Sequence, residues 1–268
     1  MSTLVCFHAH PDDEAIQTGG LMAKASAAGH RVVLVCATRG EQGEPVEGVL
    51  DPGEQLWERR IEELKISADA LGADEPILLG YEDSGMMGEP ENDNPACFWQ
   101  ADHDEAVERL ATILRDVDAD VLTIYDDHGG YGHPDHIRVH TVGRAAAESL
   151  GIDHVYEATV NRDAMRVMVE AARASGEFDD EDGEGPDTET FGTAEKDISY
   201  QIDVADFVAQ KRASMLAHRS QIGPDSFFLT MDDGMFAMAF GTESFNIPGR
   251  TDTGGPESID MLPGLETT

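Results

Sequence analysis

Two short stretches hold the side chains best suited to chemistry. The first, FHAHPDDE over residues 7–14, sets His8, His10, Asp12 and Asp13 directly behind the apolar run Leu4 to Phe7. The second, DDHGGYGHPDH over residues 126–136, sets His128, His133, Asp135 and His136 behind another apolar run, Val121 to Tyr125. Imidazole and carboxylate are suitable ligands for zinc, and a catalytic zinc takes three protein ligands while leaving a position for water. Two histidines and one aspartate drawn from the two stretches meet that count. The chemistry also needs a carboxylate that stands beside the water, takes its proton and later passes it to a leaving group. Neighbouring aspartates can divide these tasks, since successive side chains at a tight turn point in different directions. Plain structural roles compete. An Asp-Asp pair ahead of a helix serves as N-cap and first-turn acid, His133 before Pro134 suits a cap, and His140 suits a satisfied or solvent-facing histidine. Each stretch alone is weak; their pairing, both at strand-to-helix junctions, points to a metal site.

Residues so far apart in sequence need a scaffold that brings them together. Strand-like and helix-like segments alternate from the start, which predicts an α/β fold, Rossmann-like, with a mainly parallel β-sheet flanked by helices. Strands are expected at Leu4 to Ala9, Arg31 to Ala37, Pro76 to Gly80, Val121 to Tyr125, His154 to Thr159 and Ile198 to Val204. One helix is expected from the Pro-Asp-Asp turn to Gly29, and another starting with Asp51, Pro52 and Glu54 as cap, first-turn and third residues. Further helices are expected at Asp104 to Asp116, from the second polar stretch to about Leu150, at Arg162 to Ser175 and at Phe207 to Ala217. In open parallel sheets ligands bind beyond the C-terminal ends of the strands, particularly where strand order reverses, so the two stretches can meet there. A single domain is expected over 1–248, with an acidic, glycine-rich surface insert at about 176–195 and a weakly ordered tail at 249–268.

The chain of 268 residues carries 54 acidic and 18 basic side chains, a formal net charge of -36. Such a charge opposes nucleic acid and anionic membrane as partners. No run approaches the roughly 18 apolar residues of a membrane helix and no cleavable leader is evident, so a soluble, cytoplasmic protein is expected. Cys6, Cys36 and Cys97 show no CxxC spacing, which favours buried thiols over a disulfide framework or a cysteine-based zinc site.

AHPDDE at Ala9 to Glu14, paired with HPDH at His133 to His136, resembles the LmbE-like, or PIG-L superfamily, zinc N-deacetylases. The resemblance extends through TRGE at Thr38 to Glu41, the Arg60 and Glu63 pair, DSGMMG at Asp83 to Gly88 and GGYGHPDH, covering roughly the first 160 residues. KRASMLAHRSQ at Lys211 to Gln221 is also similar to the mycothiol-pathway branch of that superfamily. The resemblance implies an LmbE-like deacetylase fold, a zinc cofactor with iron(II) as the alternative, and a small-molecule amino-sugar substrate; family members are often homo-oligomers. It implies His10, Asp13 and His136 as zinc ligands, Asp12 as general base, and protonated His133 as electrostatic partner of the oxyanion, with Asp135 holding the His133 ring oriented and charged. Arg60 and Asp83 would bind sugar hydroxyls and Tyr131 would touch substrate or transition state. His8 receives no ligand role, because the family uses only the second histidine of the pair.

The expected activity is therefore zinc-dependent removal of an N-acetyl group from an N-acetylglucosamine-type conjugate. The conjugate-amidase branch is a less direct match, since Gln17 stands where that branch has lysine. A metallo-β-lactamase-type hydrolase is a second alternative, HAHPDD approaching HxHxDH, but it calls for two packed sheets. A noncatalytic ligand-binding domain is the third; TGGLMA and HGGYGH carry glycines without the GxGxxG or Walker lysine of a phosphate cradle.

Overall fold

The computed structural model describes residues 1–175 and 189–266. Most of the expected insert lies outside the described residues. The first half of the chain runs β1 (Thr3–His8), α1 (Asp13–Gln17), α2 (Gly19–Ala27), β2 (Arg31–Cys36), α3 (Leu56–Leu71), β3 (Ile77–Leu78), α4 (His103–Asp116) and β4 (Val121–Tyr125). It continues through α5 (Gly129–Gly132), α6 (Pro134–Leu150), β5 (His154–Thr159), α7 (Arg162–Ser175), β6 (Tyr200–Asp203), α8 (Val208–Ala217), α9 (Phe227–Thr230), α10 (Asp233–Phe240), β7 (Thr242–Asn246) and β8 (Glu257–Ile259).

The strands make one sheet in the order β3-β2-β1-β4-β5-β7-β6-β8. Pairing is parallel from β3 through β5, β7 runs antiparallel to both its neighbours, and β6 pairs parallel with β8. The chain winds outward from β1 to β2 and β3, then returns to place β4 and β5 on the other side of β1. Strand order therefore reverses between β1 and β4, the crevice where such sheets bind ligands. Both polar stretches leave the sheet at that crevice. A single sheet is also incompatible with the two packed sheets of the metallo-β-lactamase alternative.

The alternation of side chains along the strands divides the core into two layers. Val5, Phe7, Val33, Val35, Leu122 and Ile124 face α4 and α6, whereas Leu4, Cys6, Val32, Leu34 and Cys36 face α2 and α3. Burial pushes the Cys6 thiol up to about 12, so it packs as a small apolar group. Among the described residues no helix is long and apolar enough to cross a membrane.

Several elements differ from expectation. The first helix is broken at Thr18, whose hydroxyl is committed to His8 Nε2 at 2.8 Å. The second begins at Leu56, because Asp51 and Glu54 close a turn of their own and Glu58 instead takes the Gln55 amide at 3.1 Å. The segment expected to be a weakly ordered tail contributes β8 to the sheet and buries Leu262 and Leu265 in the α2–α3 layer. Its Gly and Pro residues set turns between apolar anchors that sequence composition averages away. β7 and α10 were not anticipated by the expected element order.

Candidate metal and catalytic centre

At the β1–β4 crevice the first polar stretch turns sharply. Asp12 takes φ 117° and ψ -28°, outside the ordinary left-handed well and costly for a residue with a Cβ. This turn sends Asp12 and Asp13 apart. Asp13 faces inward: its two carboxylate oxygens lie 3.4 Å from His10 Nδ1 and 3.4 Å from His136 Nε2. Ligand atoms about 2.0–2.1 Å from a tetrahedral zinc are themselves about 3.4 Å apart, so each of these two separations, made through different oxygens of Asp13, matches one pair of zinc ligands. Ring nitrogens of His10, His133 and His136 also converge within 4.8 Å, as do donor atoms of His10, Asp83, His133 and Asp135.

The remaining nitrogen of His10 is held from behind. His10 Nε2 lies 3.2 Å from Asp135 Oδ2 and 3.5 Å from Asp83 Oδ1. A carboxylate on the far nitrogen of a ligating histidine fixes the ring and raises its basicity. Asp135 is itself locked by the Ser84 amide at 3.0 Å and by the Ser84 hydroxyl. Burial alone would lower His10, but Asp83, Asp13 and Asp135 outweigh it and raise its basicity well above the ordinary range. The field that holds a proton there equally favours a divalent cation.

This placement differs from the expected task of Asp135. Its carboxylate holds His10 and not His133; only its backbone N–H reaches the second histidine, donating to His133 Nδ1 at 3.1 Å. The cause is local: His133 is the N-cap of α6 and Asp135 lies in its first turn, so capping geometry directs amide to ring. Nδ1 is thereby an acceptor, and the ring proton of neutral His133 resides on Nε2. Burial, then the neighbouring His10 and His136, push His133 down to about 4, so it is a neutral donor at pH 7 and not the charged ring expected.

Asp12 is paired with Arg60, its Oδ2 lying 3.0 Å from Arg60 Nη2. Burial pushes its carboxyl up to about 6, Arg60 pulling it down and Asp13 pushing it further up. Arg60 was expected on the sugar. It is only 3% exposed and spends its guanidinium on Asp12, on the Pro11 carbonyl and on Gly40 O at 2.8 Å. Gly40 permits that approach, since a Cβ there would sit 2.3 Å from Arg60 Nη1.

Asp83 is buried, accepts from the amides of Gly85 at 2.9 Å and Gln42 at 3.2 Å, and faces His10 and His133. Burial would raise it, but His10 and these hydrogen bonds hold it well below the usual carboxylate range. Tyr131 is 44% exposed and its hydroxyl lies 3.3 Å from His136 Nε2. It is the expected substrate contact best placed to meet a molecule arriving from solvent.

His8 takes no part in the cluster. Its nitrogens are bound to Tyr125 Oη at 2.8 Å and Thr18 Oγ1 at 2.8 Å, and burial holds it down to about 4, hence neutral. Tyr125 in turn stacks on His136, 4.4 Å between centroids. His128 lies at the protein surface beside Asp126 and Asp127.

Other buried polar side chains around the cluster have no role expected from sequence. Ser84 lies within DSGMMG, Glu14 within AHPDDE and His218 within KRASMLAHRSQ. Their sequence contexts assign them no task, because only the fold reveals their partners. Along α3, Arg60, Glu63 and Ser67 form a buried polar stripe at helical spacing. Arg60 reaches Asp12, Glu63 takes the amide and hydroxyl of Ser220, and Ser67 donates to Glu14. Burial would raise Glu14, but His218 at 2.5 Å and the Ser67 hydroxyl hold it below its ordinary range.

Comparison with known proteins agrees with this architecture. Residues 5–147 match the family model PIG-L: GlcNAc-PI de-N-acetylase. A relative from Acidothermus cellulolyticus, a 1D-myo-inositol 2-acetamido-2-deoxy-alpha-D-glucopyranoside deacetylase, is 40% identical, with 91% of this chain and 87% of that protein covered. The N,N'-diacetylchitobiose deacetylase of Pyrococcus horikoshii superposes with a TM-score of 0.59 at 25% identity, over 92% of this chain and 84% of that one. The 4-carboxy-2-hydroxymuconate hydratase GalB of Pseudomonas putida KT2440 shares the fold at 17% identity and a TM-score of 0.56, covering 94% and 98%. The fold alone therefore does not dictate the reaction, which the side chains at the crevice must decide.

Proposed function

The chain belongs to the PIG-L, or GlcNAc-PI de-N-acetylase, family and is an N-deacetylase of amino-sugar conjugates, and on that premise we propose that its substrate is an N-acetylglucosaminyl inositol. The inositol glucosaminide in the relative's description supports this aglycone. The observation that carries the reaction type is the division of labour between adjacent aspartates, Asp13 between two histidines and Asp12 paired with Arg60.

His10, Asp13 and His136 would hold the metal, zinc or iron(II). When bound, such an ion lowers the pKa of a water toward about 7 and polarises the acyl oxygen. Asp12 is the base: it takes a proton as oxygen adds to the acyl carbon, then returns it to the nitrogen as the C–N bond breaks. Acetate and a free amine leave. His133, its proton directed to Nε2 by the Asp135 amide, donates to the oxygen on which charge develops. Asp135 orients His10, Arg60 orients Asp12, and Asp83 anchors the loop above His10 and His133. Tyr131 contacts the substrate at the open side. We place the reaction in the cytoplasm, in keeping with three buried free thiols.

The test measures amine release from 1-O-(N-acetylglucosaminyl)-myo-inositol, N-acetylglucosamine and diacetylchitobiose, with zinc and after chelation. Turnover should be greatest on the inositol conjugate and should vanish with chelator. Asp12→Asn should keep stoichiometric zinc while losing about 100-fold or more in kcat. A zinc-loaded Asp12→Asn enzyme with full turnover would remove Asp12 from its role.

A further inference from the structure

Asp12 is proposed as the base, yet its backbone occupies a conformation that residues with a Cβ avoid. Such a conformation persists only where its surroundings over-determine it. The Asp12 carbonyl accepts from the Ala15 amide at 3.1 Å and its carboxylate is paired with Arg60. Its own amide donates to Glu14 Oε2 at 3.0 Å.

Glu14 is fully buried, and its other oxygen, Oε1, takes His218 Nε2 at 2.5 Å together with the Ser67 hydroxyl. Ser67 is in turn 2.6 Å from Ser214 Oγ. His218, also fully buried, is the C-cap of α8, and α8 packs against α1, α2 and α3. None of these four side chains touches His10, His133 or His136 through a hydrogen bond or ion pair among the described residues. The chain of contacts instead runs from α8 and α3 through Glu14 to one atom, the amide of the strained residue.

We infer that Glu14, held by His218 and Ser67, is a positioning device that fixes the left-handed backbone of Asp12 and so aims the base carboxylate. His218 and Ser214 lie beyond residues 5–147 of the family match, so the C-terminal part of the chain completes the catalytic turn. A burial role alone would leave the Asp12 amide indifferent to His218. A positioning role ties the two. The inference rests on Asp12 being the base, and the experiment separates the two claims.

His218→Leu removes the donor to Glu14, His218→Gln restores an N–H near the Nε2 position, and Ser67→Ala removes the second donor at little packing cost. All three are compared with the wild type and Asp12→Asn as zinc-loaded, folded enzymes. The expected result is a fall in kcat of at least tenfold for His218→Leu and severalfold for Ser67→Ala. KM and zinc stoichiometry should stay unchanged, and His218→Gln should recover most of the loss. Amide hydrogen exchange over residues 10–15 should quicken about tenfold in His218→Leu while β1 and β4 stay protected. If Asp12→Asn is inactive but His218→Leu and Ser67→Ala keep wild-type kcat, the positioning claim is overturned and the base survives. If Asp12→Asn is active, the base assignment itself fails. Should His218→Leu not fold, unchanged kcat and unchanged exchange in Ser67→Ala alone would overturn the inference.

Discussion

Replacing Arg60 by Met should move the acid limb of the kcat/KM profile to higher pH. Arg60 Nη2 lies 3.0 Å from Asp12 Oδ2, and the two side chains are 4% and 21% exposed. With charge centres about 4 Å apart, the attraction is about 4 kcal/mol at an effective dielectric of about 20, which caps the effect near 3 pKa units. Water reaching the partly open Asp12 side reduces this, so a shift of about 1–2 units is expected. Loss of Arg60 removes a factor that stabilises the ionised carboxylate, so the carboxyl, already pushed up to about 6, must rise further. A base works only when deprotonated, and activity is therefore lost first on the acid side. The measurement is kcat/KM from pH 5 to 9 for wild type, Arg60→Met and Arg60→Lys with zinc held saturating. Arg60→Lys keeps the charge but not the fork that also serves Pro11 and Gly40, so its limb should fall between the other two. An acid limb that stays within 0.3 units of wild type in Arg60→Met (about 0.4 kcal/mol) would refute the pairing. A selective rise in KM with an unmoved limb would return Arg60 to the sugar.

Glu157, behind the site beside His140 at 3.4 Å, is pushed up to about 7 by burial and then by Asp126. Its folded pKa exceeds the unfolded one, so its contribution is fully present below about pH 4.5 and is lost as pH rises through about 7. Glu157→Gln should therefore flatten that decline and stabilise the protein at pH 8 by up to about 3 kcal/mol, read by urea unfolding at pH 5 and pH 8. A larger gain at pH 5 than at pH 8 would contradict it. Lys211, 1% exposed, pairs with Glu243 at 2.5 Å, while Glu243 also takes the amides of Gly20 and Leu21 at the start of α2. Lys211→Met should destabilise by about 3–5 kcal/mol in the same assay, because it strands a buried carboxylate. A loss below 1 kcal/mol (a surface-pair value) would mean that the two helix amides suffice.

The motifs already contained the chemistry. AHPDDE and HPDH supplied a donor set suited to zinc, and the alternation of apolar runs with amphipathic segments supplied the parallel sheet that ends each motif at a strand edge. Strands β4 and β5 and helix α7 follow the expected bounds because their periodicity is local and uninterrupted. The C-terminal strands were not legible: Thr242–Asn246 and Glu257–Ile259 are short and polar at their edges, and become strands by pairing with residues far away.

What the sequence determined by itself was which side chains can ligate, and that both groups follow strands. What the tertiary structure decided was who faces whom. Spacing could not tell that Asp135 turns its carboxylate to His10 and only its amide to His133, since both partners lie within reach of a helix N-terminus. Nor could it tell that Arg60 pairs with Asp12, or that His218 reaches Glu14 across 204 residues. Hydrogen-bond partners are settled by distances of a few tenths of an ångström after helices pack, and that information resides in no single segment of the chain.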